Sequence, residues 1–139
     1  MRITAYDARR PRILVVEDDE DLRLFIKTVL TRAGFEVDLA GNGLEALDLG
    51  RSDYEVILLD LSMPQMDGFG FLAQRRGKLR DIPVIVLTAR HQSQDVSRAV
   101  SLGAVDFLAK PFDNQMLLKR IQRAMKPIYR MPSGSAVSW

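Results

Sequence analysis

Five short, largely β-branched apolar runs, separated by segments of helical periodicity, constrain this chain more than any other feature. Residues 12–16, RILVV, form the first run, and Leu22, Phe25, Ile26, Val29 and Leu30 then share one helical face. Gly34 is placed to end that helix in a left-handed conformation, and Glu20 and Asp21 suit its N-terminal dipole. FEVDLA alternates as a second strand, GNG supplies the turn, and LEALDLGR reads as a short second helix. EVILLD is apolar from Val56 to Leu59, as suits a strand covered on both faces. GFLAQRR, PVIVLTA, SQDVSRAVSLG closed by Gly103, VDFLA and DNQMLLKRIQRAMK continue the alternation. In the last of these Leu117, Ile121 and Ala124 fall on a common face.

Five strands alternating with five helices predict an α/β fold, a parallel sheet with helices on both faces and right-handed crossovers. Ligands in open sheets of this kind sit at the carboxyl ends of the strands. The residues at those ends are therefore the ones to collect. The first strand ends at Glu17 and Asp18, the third at Asp60, the fourth at Thr88 and the fifth at Lys110.

A chain of 139 residues that is 47% hydrophobic suffices for one domain with a substantial core. Its formal charge of +2 gives no general argument for binding nucleic acid. Basic residues gather at the ends, with Arg2, Arg9, Arg10 and Arg12 before the first strand and Lys119, Arg120, Arg123, Lys126 and Arg130 near the last helix; both groups read as solvated surface. The chain has no cysteine, so disulfide and thiolate chemistry are excluded. Its apolar runs are strand-sized and MRITAYDARRPR carries no apolar signal segment, so a cytoplasmic protein without membrane association is expected.

Carboxylates about 4 Å apart repel by roughly 4 kcal/mol at an effective dielectric of 20, so Glu17, Asp18 and Asp60 at one rim imply a cation. An all-oxygen donor set suits Mg²⁺, which binds one or two carboxylates and keeps several waters. The single histidine, His91, falls in a loop away from these strand ends, which argues against zinc. A hard cation beside a carboxylate, a lysine and a small hydroxyl residue is the apparatus of phosphoryl transfer, with Asp60 able to act as nucleophile and form an acyl phosphate.

ILVVEDDEDLR, AGNGLEAL, VILLDLSMPQMDGFGFL, PVIVLTA and SLGAVDFLAKPF, in that order and spacing, resemble the receiver domain of bacterial two-component response regulators. The resemblance covers residues 12 to about 127 as the receiver, with 1–11 as a basic arm and 128–139 as a flexible tail or linker. It implies a flavodoxin-like doubly wound sheet of order 2-1-3-4-5 with five helices. It further implies that Asp60 is the phosphoacceptor, served by a sensor histidine kinase or a histidine phosphotransfer protein. Asp18, Glu17, Asp60 and the backbone carbonyl of Ser62 would hold Mg²⁺. Lys110 would pair with the acceptor and then the phosphoryl oxygens, Thr88 would move to bond them, and Phe107 would be the aromatic that turns inward. The Lys110–Pro111 bond would be cis.

Several positions depart from the family's commoner pattern. Glu17 stands where aspartate is more familiar, and Ser62 and Arg90 occupy places thought to tune loss of the phosphoryl group. Winged-helix regulators often have glutamate where this chain has Met116, which weakens the case for their dimer across helix 4, strand 5 and helix 5. That surface is still expected to serve a homodimer or an output partner. PIYRMPSGSAVSW is no domain, so a stand-alone receiver and the regulatory part of a longer protein both fit.

In either case the chain reads as a signalling switch that assists its own phosphotransfer and autodephosphorylation. Two other readings remain on the same sheet. A metal-dependent phosphatase would want an acid two residues after its nucleophile, where Ser62 stands; a flavin-binding module would place a phosphate against acidic strand ends.

Overall fold

Strand β3 (Val56–Asp60) is buried along its whole length, which requires neighbours on both edges and layers on both faces. The computed structural model describes residues 10–89 and 93–125 and supplies both. In chain order its elements are β1 (Arg12–Val16), α1 (Glu20–Arg32), β2 (Glu36–Ala40), α2 (Gly43–Asp48), β3, α3 (Gly68–Gln74), a 3₁₀ turn (Gly77–Asp81), β4 (Val84–Thr88), α4 (Ser93–Ser101), β5 (Ala104–Ala109) and α5 (Asn114–Ala124). The sheet is parallel with order β2-β1-β3-β4-β5. This is the expected doubly wound arrangement. Most of the basic arm, Arg90, His91, Lys126, Arg130 and the tail at 128–139 fall outside the described residues.

Because side chains alternate along a strand, each strand feeds two cores. Ile13, Val15, Leu58, Ile85, Leu87 and Leu108 pack with Ile26 and Leu30 of α1 and Leu117, Leu118 and Ile121 of α5. Leu14, Val16, Ile57, Leu59, Val84 and Val86 pack on the other face with Ala46, Phe69, Phe71, Leu72 and Ala99 from α2, α3 and α4. The register aligns Val16 with Leu59 and Asp60 with Leu87, so the carboxyl ends of β1, β3 and β4 finish side by side.

Local chemistry sets the helix ends. Asp19, Asn42, Asp67 and Asp113 each accept a backbone N–H in the first turn of α1, α2, α3 and α5, at 2.8 to 3.1 Å. Gly34 (φ 100°) and Gly103 (φ 109°) take the left-handed conformations expected of them after α1 and α4.

Three expectations need adjusting. Phe25 is 43% exposed and lies outside the buried stripe of α1. Ile26 and Leu30 form the centre of that stripe, and Phe25 is about 100° round the helix from Ile26. Helix α2 stops at Asp48, and Gly50 just beyond it takes a left-handed conformation at φ 68° that cannot continue a helix.

GFLAQRR does not continue as helix to Arg76: α3 ends at Gln74, and Arg75 is buried. The Arg75 guanidinium donates to the carbonyls of Leu79 and Ile82 at 3.1 Å and of Leu102 at 3.4 Å, tying α3 and the 3₁₀ turn to the end of α4. Its burial follows from those carbonyls, which have no other signature in the sequence. Arg75→Ala leaves them without their donor and is expected to cost about 2 kcal/mol, read from urea unfolding; a loss under about 0.5 kcal/mol would mean water replaces the guanidinium fully.

Candidate functional site

Strand ends bring the expected residues together. The carboxylates of Glu17, Asp18 and Asp60 each offer an oxygen within 4.8 Å of the others. Glu17 and Asp60 are buried, whereas Asp18 is exposed, so the cluster has a closed floor and one acid open to solvent. Thr88 ends β4 and is 2% exposed. Its carbonyl accepts the Lys110 N–H at 3.1 Å, which fixes the lysine backbone beside it. The Lys110–Pro111 bond is cis, as expected.

Lys110 reaches both buried acids, but unequally. Its Nζ lies 2.8 Å from Glu17 Oε2 and 3.5 Å from Asp60 Oδ2. The shorter contact is to Glu17 and not to Asp60, the partner the resemblance implied. Even so, Glu17 Oε2 receives no hydrogen bond of good geometry, so this is a close ion pair with an acceptor orbital left over. Glu17 Oε1 accepts the Asp19 N–H at 3.2 Å, and Asp60 Oδ1 accepts the Ser62 N–H at 3.3 Å. Arg23, which sequence reasoning passed over, donates to the Glu17 carbonyl at 2.9 Å and braces this corner. Its signal was its place in α1, four residues after the cap at Asp19.

The electrostatics follow from burial. Removal from water pushes the Glu17 carboxyl up to about 7, against the opposing pull of Lys110 and with the Asp60 charge adding to the rise. Asp60 is also raised, first by burial, with Lys110 opposing and Asp18 adding to it. Burial alone would lower the Lys110 ammonium, but Glu17 and then Asp60 outweigh it and hold it above its usual range. One lysine therefore meets two of the three acids. The donor set is all oxygen, one buried carboxylate oxygen lacks an aligned donor, and the net charge is negative, so the residues fit a hard divalent cation.

Phe107 pairs with Val86 in the sheet and is half-buried against the core on the α2, α3 and α4 side. Its carbonyl accepts from Arg120, whose guanidinium also meets Asp106 at 2.8 Å. Ser62 is exposed at the start of the β3–α3 loop. Gly68 shapes the loop that presents Asp60, as the Asp-Gly dipeptide in the sequence suggests. Its N–H donates to the Leu61 carbonyl at 3.1 Å, closing that loop under Asp60.

The response regulator receiver domain family matches residues 13–122. The chain is a response regulator receiver. The transcriptional regulatory protein CpxR homolog of Haemophilus influenzae is 39% identical over 115 residues, covering 83% of this chain and 50% of the relative. Response regulator MprA of Mycobacterium tuberculosis is 40% identical over 116 residues, with the same coverage. The receiver thus spans about half the length of the curated relatives it matches. Among solved structures, chemotaxis protein CheY4 of Vibrio cholerae superposes with a TM-score of 0.80 at 31% identity, covering 84% of this chain and 100% of that one. Among the described residues of this receiver, no helix is long and apolar enough to cross a membrane.

Proposed function

We propose that this receiver is a cytoplasmic signalling switch in which Asp60 accepts a phosphoryl group from the phosphohistidine of a sensor histidine kinase or a histidine phosphotransfer protein. The observation that carries the reading is the meeting of Asp60 with Glu17, Asp18 and Lys110 at one rim. A carboxylate oxygen of Asp60 attacks phosphorus, a P–O bond forms, the P–N bond breaks, and the donor imidazole leaves with its electron pair and takes a proton. Glu17, Asp18, Asp60 and the Ser62 carbonyl are the residues that would hold Mg²⁺, which supplies charge neutralisation for the phosphoryl oxygens. Lys110 shifts from the carboxylates to the phosphoryl oxygens, the Thr88 hydroxyl donates to one of them, and Phe107 moves further into the core. Hydrolysis of the acyl phosphate at the same site returns the switch.

The message leaves through α4, β5 and α5. Val100, Val105 and Met116 are 52%, 59% and 43% exposed there, beside Asp106 paired with Arg120 at 2.8 Å and Arg123 at 2.6 Å. Val105 stands out because the register slips between Val84 and Ile85 opposite it. An apolar trio in a frame of satisfied charges suits a homodimer or an output protein, and gives this part of the chain no direct role on nucleic acid. Residues 12–127 form the switch in this reading, with 1–11 as a basic arm and 128–139 as a tail or linker. Both a stand-alone receiver and the regulatory part of a longer regulator are compatible with it.

Intact-mass analysis after exposure to a small acyl or amido phosphate tests the reading. One added phosphoryl group is expected, absent when Mg²⁺ is chelated before the donor is added; an unmodified mass with Mg²⁺ present would sink it. A second prediction concerns pH. Mg²⁺ must displace the proton that Glu17 holds below about 7 in the metal-free protein, so affinity should rise as pH passes through that value and level off above it. Calorimetric titration at pH 6 and pH 8 reads this, and equal affinities at the two would contradict it.

A further inference from the structure

Asn42 and Gln65 belong to two different loops at the strand ends and meet side chain to side chain, Asn42 Nδ2 donating to Gln65 Oε1 at 2.8 Å. The other end of the same amide caps α2, where Asn42 Oδ1 accepts the Glu45 N–H at 2.8 Å. Gln65 holds φ at 65°, a left-handed conformation that residues other than glycine adopt rarely and that surrounding contacts must maintain. One residue further along each loop, the Gly43 N–H donates to the Met66 carbonyl at 2.9 Å. The approach is close enough that a Cβ on Gly43 would lie 2.8 Å from that oxygen. Neighbouring residues of the β3–α3 loop are thus bound to neighbouring residues at the start of α2, once by side chains and once by main chain.

The loop so held is the one that begins at Asp60. Its first turn is set by the Ser62 N–H on Asp60 Oδ1, and its last by the Gly68 N–H on the Leu61 carbonyl. Between these points the loop is tethered to the α2 corner through Gln65 and Met66. Helix α2 is itself anchored, with Ala46 buried in the core.

We propose that the Asn42–Gln65 bridge is a positioning contact for phosphoryl chemistry at Asp60: it fixes the loop segment that carries the Ser62 carbonyl, and so sets metal affinity and the lifetime of the phosphoryl group. The proposal rests on the phosphoacceptor reading of Asp60. Neither side chain touches the reacting atoms, so both act through the loop, as groups behind a metal's ligands commonly do.

Two variants separate the bridge from the helix cap. Asn42→Ser keeps an oxygen for the Glu45 N–H but has no amide to reach Gln65, and Gln65→Gly removes the acceptor while accepting the positive φ. Each should weaken Mg²⁺ binding to the unphosphorylated protein about 10-fold by calorimetry, and change the phosphoryl lifetime. Each should also speed amide exchange at residues 62–66, measured without metal. The double variant should be no weaker than either single one, because both cut the same bond.

Wild-type metal affinity, lifetime and exchange in Gln65→Gly would overturn the proposal, as would full additivity in the double variant. A lowered melting temperature with unchanged Mg²⁺ affinity would mean that the bridge only stabilises the fold. If the wild type itself binds no Mg²⁺ and accepts no phosphoryl group, the phosphoacceptor reading fails and the positioning role falls with it. A competent wild type beside equally competent variants sinks the positioning role alone.

Discussion

Asp60→Asn is expected to abolish phosphorylation completely and, in the same protein, to raise the melting temperature in the absence of Mg²⁺. The loss follows because the amide offers no nucleophilic oxygen for an acyl phosphate, while Glu17, the nearest other buried acid, is engaged by Lys110 at 2.8 Å. The gain follows from the electrostatics of the pocket. Burial raises the Asp60 carboxyl above its unfolded value despite Lys110, so its ionised form at neutral pH costs the folded state free energy. That cost is complete above the raised folded value and vanishes below the unfolded one. The advantage of Asn over Asp should therefore be largest near neutral pH and fade on acidification.

The gain is read as a melting temperature above that of the wild type in metal-free buffer. Saturating Mg²⁺ should reverse the order, because it stabilises the wild type by mass action and binds the variant less well. Thermal melts at two pH values, each with and without Mg²⁺, read all of this. A wild type more stable than Asp60→Asn in metal-free buffer at pH 7 would mean that Lys110 fully compensates the buried acids.

How much of this could be read from the residues alone depends on what each feature answers to. The parallel sheet covered on both faces and the meeting of Glu17, Asp18, Asp60, Thr88 and Lys110 were legible, because period-2 and period-3.6 patterns report burial directly and the βα repeat sends every strand the same way, whereas the strand order came only with the family resemblance. The caps were partly legible: Gly34 and Gly103 stood out, whereas Asp19 was hidden inside an acidic run that reads as a metal-binding strand end.

Phe25 was misplaced because the width of a buried stripe is set by the layer it packs against and not by the helix itself. The burial of Arg75 had no signal in the sequence because its partners are carbonyls, which every residue possesses. The preference of Lys110 for Glu17 over Asp60 arises from side-chain reach. Glu17 carries one methylene more than an aspartate would, and its Oε2 comes nearer the ammonium than Asp60 Oδ2 does.

Gly68→Ala should be among the most damaging single-methyl additions this chain can receive. A Cβ at that position would stand 2.4 Å from the Asp60 carbonyl oxygen, 2.8 Å from Leu61 Cα and 3.1 Å from the Asp60 carbonyl carbon. All three atoms are backbone, so no rotamer change relieves the contact. The alternatives are to lift the start of α3 or to push the end of β3. Lifting α3 strains the Gly68 N–H bond to Leu61 and disturbs Phe69, Phe71 and Leu72 in the core. Pushing β3 displaces the acceptor itself.

Overpacking of this kind costs about 3 kcal/mol, and the folded fraction should be phosphorylated at least 10-fold more slowly because near-attack geometry at Asp60 is lost. Gly70→Ala is the matched control on the same helix. Its Cβ would meet chiefly the flexible Met66 side chain at 3.0 Å, and alanine's better helix propensity offsets that contact, so stability should stay within about 1 kcal/mol of wild type. Urea unfolding of the pair, with phosphorylation rates measured well below each midpoint, separates the two effects. Equal stability of the two variants would show that the β3–α3 junction yields easily, and that the closeness of Gly68 to the Asp60 backbone is not what holds the carboxylate in place.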